Sequence, residues 1–114
     1  MPRSVHHVNL SVPEDGAQTQ ADWLISMLGY EEVTGGPEIT EIVEKMGRRL
    51  WWFEADDGSQ VHLSPNPAHA IVPAVHTAIR LDAAGFETRT TAFDGERHAF
   101  VTDPSGNLWE LVGP

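Results

Sequence analysis

The sequence predicts an α+β domain built from two copies of a strand–helix–three-strand module. Two observations support this prediction. The order of predicted strands and helices restarts near the middle of the chain, which indicates an internal duplication. Each half also ends in a hairpin whose glycine lies four residues before a candidate ligand, Gly58 before His62 and Gly106 before Glu110.

Length and composition are those of a small globular protein. The 114 residues predict one domain, 1–114, with a first module over residues 1–66 and a second over 67–114. The formal charge of −10 disfavours nucleic acid and anionic membranes as partners. Because the chain has no cysteine, a bound metal must use nitrogen and oxygen ligands. The sequence has no signal-peptide pattern and no long apolar run, so the expected location is the cytoplasm.

The first half opens with an amphipathic strand and a helix. Apolar and polar residues alternate over 5–12, which predicts a strand with one buried and one polar face. The polar face carries His7, Asn9 and Ser11. Asp15 is then the expected N-cap of a helix that Gly29 ends.

The rest of the first half is predicted to end in a hairpin. A short strand over 30–33 comes first, and the stretch 38–47 is ambiguous although its apolar residues have helical spacing. A strand over 49–54 then leads to a turn at Asp57-Gly58 and a returning strand over 59–63.

The second half is predicted to repeat this order. Residues 69–72 are predicted to form a strand, and 74–84 a helix that Gly85 ends. Three strands follow, over 86–90, 97–102 and 108–112.

Four residues at matched positions are the candidate metal ligands. Equivalent halves place His7 opposite His69 across a pseudo-twofold axis, and the same symmetry relates His62 to Glu110. Three imidazoles and one carboxylate suit a divalent ion such as Zn, Ni, Fe, Co or Mn. Glu110 also shares its strand face with apolar residues, so an ionised carboxylate there needs a partner, which a metal would provide.

Each of these residues also has an interpretation without a metal. His7 fits an ordinary strand histidine, His62 a solvated hairpin residue and His69 a linker residue. Glu110 fits a surface acid on an edge strand. The agreement of four positions favours the metal interpretation over four separate coincidences.

Three further residues are predicted to contact a substrate: Asn9, Trp52 and His98. Asn9 shares the polar face of the first strand with His7. Trp51 and Trp52 are neighbours on one strand and point to opposite faces, so one packs in the core and the other walls a pocket. His98 lies on a predicted strand, where a structural role is the alternative.

Four segments resemble the vicinal-oxygen-chelate superfamily, which includes glyoxalase, bleomycin-resistance and extradiol-dioxygenase types. They are 7–12 (HVNLSV), 28–31 (LGYE), 83–86 (AAGF) and 100–111 (FVTDPSGNLWEL). The resemblance implies two βαβββ modules that form a cupped mixed β-sheet. It also implies that the metal ligands lie on the first and last strands of each module, here His7, His62, His69 and Glu110. Small members often form homodimers, so a homodimer is expected.

The chain departs from the family pattern at two places. Glyoxalase I enzymes usually have a glutamate at the position of His62, which leaves Glu110 as the one carboxylate for the catalytic base. The interval from His69 to Gly85 is also short for a strand and a helix. It permits a competing alignment in which His76–Arg80 is the strand. We disfavour that alignment because it leaves almost no residues for the second helix.

The resemblance implies three functions and leaves open whether the protein is an enzyme. The first is a metal-dependent glyoxalase-like enzyme for a small substrate that chelates the ion through vicinal oxygens, with Glu110 as the catalytic group. The second is a bleomycin-resistance-type drug-binding protein without catalysis, for which the acidic charge is favourable. The third is a small extradiol-type dioxygenase with iron held by His7, His69 and Glu110.

Overall fold

The structure of the chain is a computed structural model that describes residues 5–47, 49–80, 89–90 and 97–113. The chain divides into two compact units, Met1–Ala70 and Ile71–Pro114, and each contains a four-stranded sheet. Within the described ranges, neither helix has the length and apolar character needed to cross a membrane.

The first unit is a βαβββ module with one additional helix. Its elements are β1 (His7–Pro13), α1 (Ala17–Leu28), β2 (Glu31–Val33), α2 (Pro37–Lys45), β3 (Trp52–Glu54) and β4 (Gln60–Asn66). The sheet order is β1-β4-β3-β2, in which β1 and β4 are parallel and the other neighbours are antiparallel. Because β1 and β4 lie side by side, the first and last strands of the module present their polar residues together.

The core of the first unit lies on one face of this sheet. Alternation along β3 and β4 puts Phe53, Val61 and Leu63 on that face, and all three side chains are buried. Helix α1 contacts β1, β2 and β4 and buries Ala21 and Leu24. The residues between the buried positions, which point to the other face, are mostly polar.

Both helices of the first unit begin after a glycine. The N-cap of α1 is Gly16, so the predicted Asp15 N-cap is wrong by one residue. Gly29 ends the helix, as predicted, and has the left-handed conformation. The ambiguous stretch 38–47 belongs largely to α2. This helix starts with Pro37, which suits a first turn because its missing N–H has no partner there.

The second unit repeats the strand arrangement of the first. Its described strands are β5 (His76–Arg80), β6 (Arg89–Thr90), β7 (Arg97–Thr102) and β8 (Leu108–Gly113). The sheet order is β5-β8-β7-β6, again with the first and last strands parallel and the other neighbours antiparallel. Residues 81–88 lie outside the described residues. The duplication predicted from the sequence is therefore confirmed.

The start of the second module differs from the prediction. Residues 69–72 form no strand, and residues 76–80 form strand β5 instead of part of the predicted helix 74–84. The disfavoured alignment is thus the observed one. Thr77 and Ile79 are the less exposed residues of β5, which is a period-two pattern, and β5 pairs with β8 about 30 residues later along the chain. The remainder of the predicted helix, with Gly85 and the start of the predicted strand 86–90, lies outside the described residues.

Candidate functional site

The polar face of the first unit brings three of the predicted site residues side by side. On the central strand β4, His62 pairs with Asn9 of β1 on one side and with Trp52 of β3 on the other. Residues directly opposite each other in neighbouring strands project from the same face. His7, two residues before Asn9, points the same way.

An aromatic cluster joins the two histidines of this face. The rings of Trp52 and His62 are stacked, with centroids 4.6 Å apart and planes 8° from parallel. His7 contacts the same indole edge-on, with a centroid separation of 4.9 Å. The Nδ1 atoms of His6 and His7 are 3.0 Å apart. Among the described residues, the buried indole Nε1 of Trp52 has no hydrogen-bond partner.

The electrostatics of this cluster favour a neutral His62. Burial lowers the pKa of His62, and the neighbouring His7 lowers it further, because a charged imidazolium loses hydration there and is repelled by a second one. A neutral imidazole has a lone pair available, which is the form in which histidine binds a metal. His62 therefore meets a chemical requirement for the role predicted from the sequence.

His69 belongs to the first unit and lies apart from His7. It follows β4 in a segment without regular structure, and its Nδ1 is 2.8 Å from the hydroxyl of Ser11. Ser11 lies four residues beyond His7 on β1, a separation of about 13 Å along a strand. The sequence prediction placed His69 on the opening strand of the second module, and the structure does not.

The second unit brings His76, His98 and Glu110 together on one face of its sheet. Glu110 of β8 pairs with Ala78 of β5 and with Phe100 of β7. His76 and His98 lie two residues before those partners, so they share the face of Glu110. His76 Nε2 is 3.0 Å from Glu110 Oε2, and His98 Nδ1 is hydrogen-bonded to Glu110 Oε1.

These contacts shift two ionisation equilibria in opposite directions. The hydrogen bond from His98, followed by that from His76, lowers the pKa of Glu110 despite partial burial of the carboxylate. A hydrogen bond to the Ala74 carbonyl, followed by the Glu110 carboxylate, raises the pKa of His76. Both shifts favour the ion pair.

The strand registers show which residues of the two modules are equivalent. His7 lies two residues before Asn9, which pairs with His62 in the parallel β1–β4 pair. His76 lies two residues before Ala78, which pairs with Glu110 in the parallel β5–β8 pair. The counterpart of His7 is therefore His76. The signal for this equivalence in the sequence is that each histidine begins a strand, His7 in β1 and His76 in β5. The helical spacing of nearby apolar residues masked the second strand.

Each unit by itself presents a pair of metal-competent side chains at equivalent positions. Among the described residues, no three or more His, Asp or Glu side chains form a group that could hold a metal ion. Imidazole and carboxylate are nevertheless suitable donors for borderline divalent ions. The pair His7 and His62 and the pair His76 and Glu110 each have donor atoms of this kind.

Solved structures match the chain in fold, whereas no family model and no curated protein matches its sequence. A glyoxalase/dioxygenase from Nostoc punctiforme has a TM-score of 0.69 and 24% identity, over 97% of this chain and 90% of that one. The fosfomycin resistance protein FosX from Listeria monocytogenes has a TM-score of 0.70 and 13% identity, over 100% and 95%. TnmS3, an antibiotic-binding protein from Streptomyces sp. CB03234, has a TM-score of 0.65 and 17% identity, over 100% and 99%. At these identities the likeness concerns the fold alone, which is the one that the sequence resemblance implied.

Proposed function

We propose that this chain, which has the vicinal-oxygen-chelate fold, is a metal-dependent glyoxalase-like enzyme for a small substrate with vicinal oxygens. One observation carries the proposal. Parallel strand pairs at equivalent places in the two modules carry His7 with His62 and His76 with Glu110, in the same register. Metal-competent side chains at four matched positions of the two modules favour a shared role over four separate coincidences.

The proposed ligands are His7, His62, His76 and Glu110, and the ion is one of Zn, Ni, Fe, Co and Mn. We infer that the two pairs bind the same ion from the family resemblance. His69 stays the alternative to His76, as the sequence predicted it. When bound, the ion would act as a Lewis acid toward two adjacent substrate oxygens.

Glu110 has two possible tasks, and its surroundings favour one of them. Its lowered pKa makes the carboxylate a good ligand and a weak base. To accept a substrate proton, Glu110 would have to give up one of its contacts with His76 and His98, which would raise its basicity. We propose that Asn9 and Trp52 line the substrate site beside His62, since both pair with it across the sheet.

Metal content tests the proposal. Purified protein is offered Ni, Zn, Fe, Co and Mn in turn, and bound metal is measured by elemental analysis for wild type and E110A. We expect near-stoichiometric metal in the wild type and a large loss in E110A, with unchanged far-UV circular dichroism as the control for folding. Failure of every ion to bind would refute the proposal.

A second candidate is a drug-binding protein without catalysis. Two observations favour it: no group of three metal-binding side chains occurs among the described residues, and one structure with the same fold is an antibiotic-binding protein. The net charge of −10 suits a cationic ligand. This candidate predicts that a cationic glycopeptide binds with the same affinity to wild type and to the H7A/E110A double variant, measured by calorimetry.

Two further points belong to the proposal: a dioxygenase reaction is the alternative to the glyoxalase-like one, and a homodimer is the expected oligomeric state. Oxygen consumption with a catechol and Fe(II) separates a dioxygenase from a glyoxalase-like lyase.

A chain of 114 residues buries a modest share of its surface, so association of two copies would add burial. Light scattering of the purified protein measures the oligomeric state directly.

A further inference from the structure

A buried histidine outside the proposed ligand set contacts the Glu110 carboxylate. His98 of β7 is 7% exposed, and its Nδ1 is hydrogen-bonded to Glu110 Oε1. It lies diagonally across the β7–β8 pair, two residues before Phe100, the direct partner of Glu110. Glutamate is otherwise a flexible side chain, and a fixed donor at one oxygen restricts its rotamers.

We propose that His98 is a positioning residue: it holds the Glu110 carboxylate by Oε1, so that Oε2 lies beside His76, the other proposed ligand of the second unit. This inference rests on the proposed function, because it takes Glu110 to be a metal ligand. The sequence prediction assigned His98 to substrate contact, and the burial of its ring favours the positioning role instead.

The exposure of the three side chains supports this division of the two oxygens. The side chain of His98 is 8% exposed, that of Glu110 is 18% exposed and that of His76 is 34% exposed. Oε1 thus contacts the most buried of the three side chains, and Oε2 contacts the most exposed one.

The first module lacks the same arrangement, as expected if His98 serves a carboxylate. Trp52 pairs with His62 as Phe100 pairs with Glu110. Two residues before Trp52 the chain has Leu50, which has no hydrogen-bonding side chain. In the first module the closing-strand histidine is stacked on Trp52, its direct partner, and in the second module the closing-strand carboxylate accepts a hydrogen bond from His98, its diagonal neighbour.

Cobalt(II) chloride is a suitable probe, because calorimetry gives its affinity and its visible absorption spectrum reports the ligand geometry. We expect H98A to bind cobalt about 10- to 100-fold more weakly than wild type, the usual effect of losing a partner of a metal ligand. H98N should recover most of the affinity and the wild-type spectrum, since the asparagine amide nitrogen occupies nearly the place of Nδ1. T102A, an exposed substitution on the same strand and face, is the matched control and should bind like wild type.

The outcomes separate this inference from the proposed function. Wild-type affinity in H98A, with cobalt binding still abolished by E110A, overturns the positioning role and leaves the metal site intact. A wild type that binds no cobalt overturns both. If H98A does not fold, H98N and H98Q decide the matter. The inference predicts tighter binding by H98N, because the glutamine amide reaches past the Nδ1 position, and equal binding by the two would overturn it.

Discussion

The two modules share one backbone plan and hold their matched side chains by different means. Their hairpin turns have the same pair of hydrogen bonds: Ala55 N to Ser59 O at 2.9 Å with Gly58 N to Ala55 O at 2.9 Å, and Asp103 N to Asn107 O at 2.9 Å with Gly106 N to Asp103 O at 3.0 Å. Ala55 and Asp103 are thus equivalent turn positions. The comparison shows that the duplicated backbone is kept while the side chains on it have diverged.

The divergence is clearest at the first position of each turn. The buried carboxylate of Asp103 accepts hydrogen bonds from the backbone N–H groups of Ser105 and Asn107 and from Trp109 Nε1, each at 2.9 Å. Alanine stands at that position in the first module. There, the exposed Asp57 accepts the N–H and hydroxyl of Ser59 instead. The turn that precedes Glu110 is therefore stabilised by a buried side chain.

The candidate site residues of the two modules differ in the same way. In the first module His62 is stacked on Trp52, and burial lowers its pKa, which favours the neutral form. In the second module Glu110 is charged and hydrogen-bonded to two histidines. His62 thus offers a neutral donor and Glu110 an anionic one at equivalent positions of the two modules.

The largest expected effect comes from removing the carboxylate inside the second turn. D103A should lower the free energy of unfolding by about 3 kcal/mol, because it leaves the N–H of fully buried Trp109 and two backbone donors without this acceptor. D57A, which removes the exposed carboxylate of the first turn, should have a much smaller effect. Urea unfolding of both variants measures the difference, and equal losses would show that the two turns are not stabilised differently.

An intermediate effect is expected in the pH dependence of stability, with opposite signs in the two modules. His76 has a raised pKa in the fold, so its contribution is full below the ordinary value of 6.5 and is lost as pH rises through the raised value. His62 has a lowered pKa in the fold, so the contribution of its neutral form to stability is full above pH 6.5. That contribution is lost as pH falls through the lowered pKa.

Melting temperatures across this pH range test the two signs. Relative to wild type, H76Q should remove the loss of stability on the alkaline side, and H62Q should remove the loss on the acidic side. Both histidines are partly exposed, so the changes are small, and the comparison of the two variants provides the control. The same sign in both variants would contradict the electrostatic difference between the modules.

The smallest difference is expected between the two turn glycines. Gly58 and Gly106 both have φ of +86°, so alanine at either place should cost about 1 kcal/mol. A Cβ on Gly58 meets nothing within 4 Å, whereas one on Gly106 would lie 2.4 Å from Ile71 Cδ1. Ile71 is exposed and its terminal methyl can rotate away, so G106A should be only slightly more destabilising than G58A. A G106A variant more stable than wild type would contradict this expectation.

The closing strands were predictable because local pattern and tertiary structure agree there. The predicted strand 97–102 matches β7, and the predicted strand 108–112 is β8 without its last residue. Both flank a Pro-Ser-Gly-Asn turn whose glycine requires positive φ. The polar face of β1 was predictable for the same reason, since alternation alone assigns His7 and Asn9 to it.

The opening strand of the second module was not predictable from local pattern. Val75, Ala78 and Ile79 have helical spacing, and the strand that overrides it depends on parallel pairing with the distant β8. The error displaced the predicted histidine from His76 to His69. The contacts of His98 with Glu110 and of Trp52 with His62 likewise join separate strands, so no spacing within one segment reveals them.

The most direct test of equivalence between the two modules compares H76A with H69A. Metal content is measured by elemental analysis after reconstitution with the ion that the wild type prefers, and thermal melting confirms that both variants fold. We predict that H76A loses most of its metal while H69A keeps the near-stoichiometric wild-type content. Loss of metal in H69A with retention in H76A would contradict the assignment of His76, the counterpart of His7, as a metal ligand of the proposed site.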